Sequence, residues 1–238
     1  MVFLLSHVDK SEEQIKEEKA MMAADVSANA DESSSINEGE TIAYDKDQLY
    51  QQLTTGGGKV LDNFDLHEAM SADLCLLISD SHQRSLKYFY SLAGGVPCVS
   101  HIWVRDCCKM EKRLPYHSYV LPAGISLTRQ HLIEWHSRHN VLRLLKVCVS
   151  SKNKKYVETW SSVLEVAGCV VKDASMTFEP GVVNFVLADA SIASHVKSSA
   201  IDLGIPIVSS EWVIQCLING QRLPYDAHEK FQHDYHED

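Results

Sequence analysis

Apolar residues recur along this chain in two rhythms. The first is a set of short apolar runs: residues 2–5, 74–78, 97–99, 144–149, 182–187 and 207–208, broken only by Lys146 and Asn184. Near-continuous runs of this length suit strands buried on both faces, the kind found in parallel sheets. The second has the period of a helix. Leu49, Tyr50 and Leu53 form a short stripe behind Asp45, an N-cap residue, and Gly56, Gly57 and Gly58 end it. Leu86, Phe89, Tyr90 and Ala93 recur at helical spacing in a predicted helix over 84–95. Ser100 is placed to cap a helix that turns Trp103, Cys107 and Met110 inward. Tyr156, Val157, Trp160, Val163, Leu164 and Ala167 make the strongest stripe, closed by Gly168. A helix over 192–203 follows, then one capped by Ser210 with Trp212, Val213, Cys216 and Leu217 inward. Between the two series, 113–140 reads as a connector. Its Leu-Pro-Ala-Gly at 121–124 breaks structure, and 127–135 reads as helical. Strands alternating with helices predict an α/β fold with parallel sheets flanked by helices.

The two series are copies of one unit. GVPCVSHIWVRDCC at 95–108 and GIPIVSSEWVIQCL at 204–217 are identical at seven of fourteen positions, at a constant offset of 109 residues. That period is too long for a solenoid repeat and matches a small complete domain. The predicted domains are 1–120, a linker with a short helix over 121–142, and 143–238.

Charge refines the first domain. The chain carries a net charge of −10, of which residues 9–40 hold −7. That stretch is rich in Glu, Ser and Ala, so it is expected to be a mostly disordered insertion, with a helix possible at its start. The remainder is nearly neutral and has room for a local basic pocket. The overall sign argues against general binding to nucleic-acid backbones. Seven cysteines, an odd number without a CxxC pair and mostly inside apolar runs, read as reduced core residues of an intracellular protein. The histidines show no metal-ligand spacing, and His233 and His236 read as solvated in a polar tail. No apolar stretch reaches 18 residues, so no membrane-spanning helix is predicted. Opening on a core strand suggests a piece of a longer protein.

Spacing alone offers one candidate site. Ser6 ends the first strand, and Arg84, Ser85 and Lys87 open a later helix. Ligands in parallel sheets sit at the carboxyl ends of strands, where helix N-termini also point. A hydroxyl, a backbone N–H and an ammonium there would suit a phosphate. The alternative reading is that Arg84 and Lys87 are ordinary surface charges, and spacing by itself favours it. Gly-Gly-Gly-Lys at 56–59 lacks the phosphate-loop spacing and its Ser or Thr, so a nucleotide-dependent enzyme is disfavoured.

Residues 84–107, RSLKYFYSLAGGVPCVSHIWVRDC, resemble the BRCT signature: a glycine-ended helix, a short strand, then a helix with an inward Trp. With the second Trp helix at 210–220, the chain resembles a tandem BRCT pair over nearly its whole length outside 9–40. The resemblance implies two BRCT domains, each a four-stranded parallel sheet flanked by helices. It implies a helix-lined interface between repeats, no catalytic activity and no cofactor. It also implies phosphoserine recognition by the first repeat through Ser6, the His7 backbone N–H and Lys87. Arg84 matches the arginine that grips main chain or carboxylate three residues beyond the phosphoserine. His7 departs from the glycine common at its place. In the second repeat Ser150 and Lys197 are the matching residues, with Ser194 where Arg84 would be, so that pocket reads as vestigial. A closer likeness, to the C-terminal tandem of a double-strand-break mediator, implies a nuclear, chromatin-associated protein. Its implied partners are a phosphorylated histone C-terminal tail, the tumour suppressor p53 and other phosphoproteins. The rival on the same fold is a phosphorylation-independent scaffold that docks p53-like partners on the first repeat and linker.

Overall fold

The apolar run at the start of the chain becomes β1 (Val2–Leu5), and all four of its residues are buried. It pairs in parallel with β2 (Lys59–Leu61) on one side and β3 (Cys75–Ser79) on the other. β4 (Cys98–Ser100) adds to β3, giving the order β2-β1-β3-β4. The computed structural model describes residues 1–7, 43–136, 141–175 and 178–235. The insertion expected at 9–40 lies outside the described residues.

The second repeat builds the same sheet. β7 (Lys146–Ser150) is flanked by β8 (Val170–Lys172) and β9 (Phe185–Ala188), and β10 (Ile207–Val208) completes the order β10-β9-β7-β8, all parallel. The chain divides into two units, Met1–Tyr88 with Pro97–Trp135, and Phe89–Val96 with His136–Asp238.

Helices form where the periodicity places them, with shifted ends. α1 (Lys46–Thr55) is capped by Asp45, whose carboxylate accepts from Gln48 N at 2.9 Å, and Gly56 closes it. Leu49 and Leu53 are buried and Tyr50 is exposed. The apolar rhythm does not predict α2 (Leu66–Ser71), β2 or β8; each is short and mixed in polarity. α3 (Leu86–Gly94) starts two residues later than expected, and its buried stripe is Tyr88, Phe89, Leu92 and Ala93, while Leu86 is exposed. α4 (Ile102–Lys109) turns Trp103 and Val104 inward; Met110 caps its end and is exposed, because the helix stops before Met110 can reach the core stripe. α5 (Lys154–Val166) buries Trp160, Val163 and Leu164. α6 (Ser194–Asp202) and α7 (Ser210–Asn219) finish the second repeat. The cap of α7 is Ser209 rather than Ser210, and its hydroxyl bonds the Lys230 carbonyl instead of the helix.

The linker helix expected at 127–135 is a hairpin. β5 (Gly124–Ser126) pairs antiparallel with β6 (His131–Ile133). Ser126 explains why. Its hydroxyl accepts from Arg129 N at 3.3 Å and meets Thr128 Oγ1 at 3.2 Å, while its carbonyl accepts from Gln130 N. Gln130 takes φ 56°, which reverses the chain. Serine and threonine hydroxyls here offer the backbone a turn in place of a helix.

Each repeat is locked by the same tryptophan. Trp103 Nε1 donates to the Leu114 carbonyl at 2.9 Å, and Trp212 Nε1 to the Leu223 carbonyl at 3.1 Å. Leu114 N then reaches Cys107 Sγ at 3.2 Å, and Leu223 N reaches Cys216 Sγ at 3.4 Å. The partners repeat because the sequence does: Arg-Leu-Pro-Tyr stands at 113–116 and again at 222–225, at the same offset of 109. Trp103 packs on Phe3 at 6.2 Å, and Trp212 meets Phe185 edge-on at 4.9 Å. Burial pushes the thiols of Cys148, Cys169 and Cys216 up to about 12, so they stay protonated and act as small apolar residues.

Two stability outcomes follow from this packing. Trp103→Ala and Trp212→Ala should each destabilise by about 3–5 kcal/mol in chemical denaturation, as for large buried aromatics. Near wild-type stability in either would mean that Trp is no anchor. Gly58→Ala should lower stability by about 1–3 kcal/mol, the range for overpacking. A Cβ there would lie 2.5 Å from a Phe3 ring carbon and 2.9 Å from the Leu53 carbonyl. An unchanged melting temperature would show that the Phe3 ring gives way freely.

Candidate functional site at the end of the first strand

The carboxyl end of β1 opens into a cavity of about 420 Å³ lined by Ser6, His7, Tyr44, Lys46, Ser85 and Lys87 among others. Parallel pairing brings it about. Leu5 sits opposite Ile78, and Ser6 N donates to the Ile78 carbonyl at 3.0 Å, so Ser6 is held where the sheet ends. Its hydroxyl donates to Gln83 Oε1 at 2.9 Å and lies 2.9 Å from Ser85 Oγ. Ser85 starts α3: its oxygen accepts from Tyr88 N at 3.3 Å. Lys87, in the first turn of α3, donates from Nζ to the Leu5 carbonyl at 2.9 Å. Ser6, Ser85 and Lys87 therefore converge on the end of one strand.

Lys87 is half-buried rather than on an open solvent face. Burial pulls its ammonium below the usual lysine range, the nearby Lys46 charge pulls the same way, and Asp62 opposes both. The positive charge is thus held where water serves it poorly, and an arriving anion would relieve that. His7 stacks on Tyr44 at 4.8 Å between ring centres and pairs Nδ1 with Asp80 Oδ2 at 3.3 Å. Tyr44 donates weakly to the Ile78 carbonyl at 3.5 Å, which holds the stacked pair against the strand end. Burial raises the Tyr44 phenol far above its usual range, so it remains a neutral donor.

Arg84 stands apart. It is exposed, lies ahead of α3 rather than on it, and is not among the residues lining the cavity. Arg84 therefore does not open α3 with Lys87 as expected, because Ser85, by accepting from Tyr88 N, sets the helix start after Arg84.

Comparison with known proteins fits this architecture. The family model of the BRCA1 C Terminus (BRCT) domain matches residues 140–236, and that of the BRCT domain matches residues 36–120. The chain carries two BRCT domains in tandem. It is similar to DNA repair protein crb2 of Schizosaccharomyces pombe, 23% identical over 167 residues, covering 60% of this chain and 21% of that protein. It thus spans about a fifth of that relative's length. The crystal structure of S. pombe Brc1 BRCT5-BRCT6 has the same fold, with a TM-score of 0.53 and 12% identity over 98% of this chain and 96% of that one. Rtt107p in complex with a phosphorylated histone gives a TM-score of 0.47 and 14% identity, covering 84% and 94%.

The second BRCT domain spends the same positions differently. Ser150 Oγ accepts from Ala193 N at 3.2 Å, at the start of α6. Ser151 stands where His7 does and donates to Asp189 Oδ2 at 2.7 Å. Burial pushes the Asp189 carboxyl up, but hydrogen bonds from Ser151 and Ser191 outweigh it and hold the group below the usual carboxylate range. The lysine is also missing. Val96 N bonds the Ser91 carbonyl and Ile205 N bonds the Ala200 carbonyl, both at the 109 offset. In that register Lys87 matches buried Val196, and Lys197 matches Tyr88. His233, expected to be solvated, has a side chain only 11% exposed; its place beside Tyr156, Ser210 and Lys230 in a smaller cavity encloses it. His236 lies outside the described residues.

Four residues at the first site were missed from sequence: Tyr44, Lys46, Asp80 and Gln83. Asp80 was findable, because the repeat extends to it: Asp189 stands 109 residues on. Gln83 Nε2 donates to Asp80 Oδ1 at 2.7 Å, which makes Gln83 an acceptor for Ser6. Tyr44 and Lys46 carry no motif and arrive from the far side of the insertion.

A depressed lysine has a consequence for stability. Between the lowered folded value and the ordinary 10.5, the unfolded chain binds more protons, so folding is favoured as pH rises through that window. Burial thus makes the charged form of this lysine a cost to the folded state. Lys87→Met should therefore leave the melting temperature within about 2 °C of wild type. A drop of roughly 8 °C or more, the size of a lost structural interaction, would show the lysine to be structural.

Proposed function

We propose that this chain is a non-enzymatic phosphoprotein-binding module from a mediator of the DNA double-strand-break response, nuclear and chromatin-associated. In this reading its first repeat takes a phosphoserine in a histone C-terminal tail. The observation that carries the reading is the convergence of Ser6 Oγ, Ser85 Oγ and the half-buried Lys87 ammonium on one cavity. A phosphoserine carries about −1.5 to −2 charges and three acceptor oxygens, which match hydroxyls and an ammonium at a helix start. BRCT domains are typically interaction modules without catalysis. The likeness to crb2, a DNA repair protein, supports the setting. Resemblance to the C-terminal tandem of p53-binding protein one supports p53 as a further partner. In this assignment Ser6, the His7 backbone N–H, Ser85 and Lys87 hold the phosphate, and Arg84 grips the peptide beyond it.

Calorimetry with a tail-like peptide tests this. The phosphorylated peptide should bind and the unphosphorylated one should not. Lys87→Met should weaken binding roughly 10- to 150-fold, the loss of a bond to a charged group. Amidating the terminus should also weaken it, and Arg84→Gln should erase that difference, since a guanidinium grips a carboxylate through two parallel bonds. Equal binding with and without phosphate would overturn the reading in favour of a phosphorylation-independent scaffold.

A further inference from the structure

The cavity at the end of β1 contains a cation that the phosphoserine reading does not use. Lys46 is the first residue of α1, exposed, and lines the same cavity as Ser6, Ser85 and Lys87. Among the described residues the lining holds two lysines and no carboxylate. Of the nearby acids, Asp45 caps α1 through Gln48 N, Asp80 takes Gln83, Ser81 N and His7, and Asp62 favours the Lys87 charge from outside the cavity lining. Among the described residues no carboxylate is paired with Lys46. Helix stability does not account for it either, because a cation in the first turn opposes the helix dipole. The two ammonium groups are close enough for the Lys46 charge to disfavour that of Lys87.

We infer that Lys46 is a second phosphate-contacting lysine, and that with Lys87 it makes this site selective for a dianionic phosphoryl group over a carboxylate. The inference rests on the phosphoserine reading above. Lys87 gives one N–H to the Leu5 carbonyl and keeps two for a ligand. One phosphate can span both lysines, since it offers three oxygens and nearly two charges. A glutamate in its place offers one charge and two oxygens, and leaves one lysine uncompensated. Ser6 and Lys87 alone would admit either group. The second lysine at the mouth supplies the discrimination.

The test uses the whole chain and three peptides with a free carboxyl end: phosphoserine three residues before the terminus, glutamate there, and unmodified serine. Lys46→Gln should weaken the phosphoserine peptide by roughly 3- to 10-fold, the low end for a bond to a charged group because Lys46 is exposed. It should leave the glutamate peptide within about twofold, so the selectivity narrows. Lys46→Arg, which keeps the charge, should restore affinity, and Lys46→Glu should bind more weakly than Lys46→Gln. Unchanged melting temperatures in all three confirm that binding alone is being read. If Lys46→Gln binds the phosphoserine peptide as wild type does while Lys87→Met does not, the Lys46 inference is overturned and the site stands. An equal loss for phosphoserine and glutamate peptides also overturns it, since Lys46 would then attract any acidic peptide. If wild type fails to distinguish phosphoserine from serine, the phosphoserine reading falls and this inference with it.

Discussion

The register of a central strand buried on both faces is the constraint behind everything else in the first repeat. All four residues of β1 are buried, and Leu4 is fully so. A one-residue slip would exchange its two faces. It would also pull Ser6 off the level where the Ile78 carbonyl, Gln83 and Ser85 meet it. The site is thus a consequence of where a hydrophobic strand must end. Polar groups gather there because the sheet stops burying backbone, and α3 starts there because it covers that end. Lys87 belongs to both structures: its ammonium bonds the last β1 carbonyl while facing the cavity.

The two BRCT repeats separate what the fold needs from what the candidate site needs. The tryptophan lock is kept in both, down to the carbonyl that accepts and the cysteine sulfur that follows. The strand-end chemistry is not kept. In the second repeat Ser150 serves the start of α6, Asp189 is surrounded by serines, and a buried valine occupies the lysine position. Such a strand end is satisfied internally. The first repeat instead leaves a half-buried ammonium beside a second one, which no packing requirement explains.

Much of this could be read from the residues, and the failures have physical causes. Parallel strands announced themselves as near-continuous apolar runs, and both Trp helices as stripes. The short elements β2, β8 and α2 escaped because three to six mixed residues carry no period. The linker hairpin was mistaken for a helix because its few apolar residues fit either spacing. What decided it was local: hydroxyls at Ser126 and Thr128 that compete for backbone groups. At the site, Ser6, Ser85 and Lys87 share one cavity. Arg84 was misplaced by two residues of helix start, and Tyr44 and Lys46 were invisible because nothing in sequence ties them to β1.

The electrostatics of the strand end show how one residue type can take two roles by position. Lys87 is desolvated and anchored to the Leu5 carbonyl, so its charge is fixed in direction and weakly screened. Lys46 is exposed on a flexible stem, so its charge is screened and free to follow a ligand. A buried cation alone would favour any anion of the right size, at a standing cost to stability. Adding a second, exposed cation raises the local potential without a second desolvation penalty, because water still solvates it when the site is empty. The pair then responds to the number of charges on the ligand, while Ser6 and Ser85 respond to the placement of its oxygens. Charge count and oxygen geometry together distinguish a phosphoryl group from a carboxylate, and a single lysine at the end of a strand could read only one of the two.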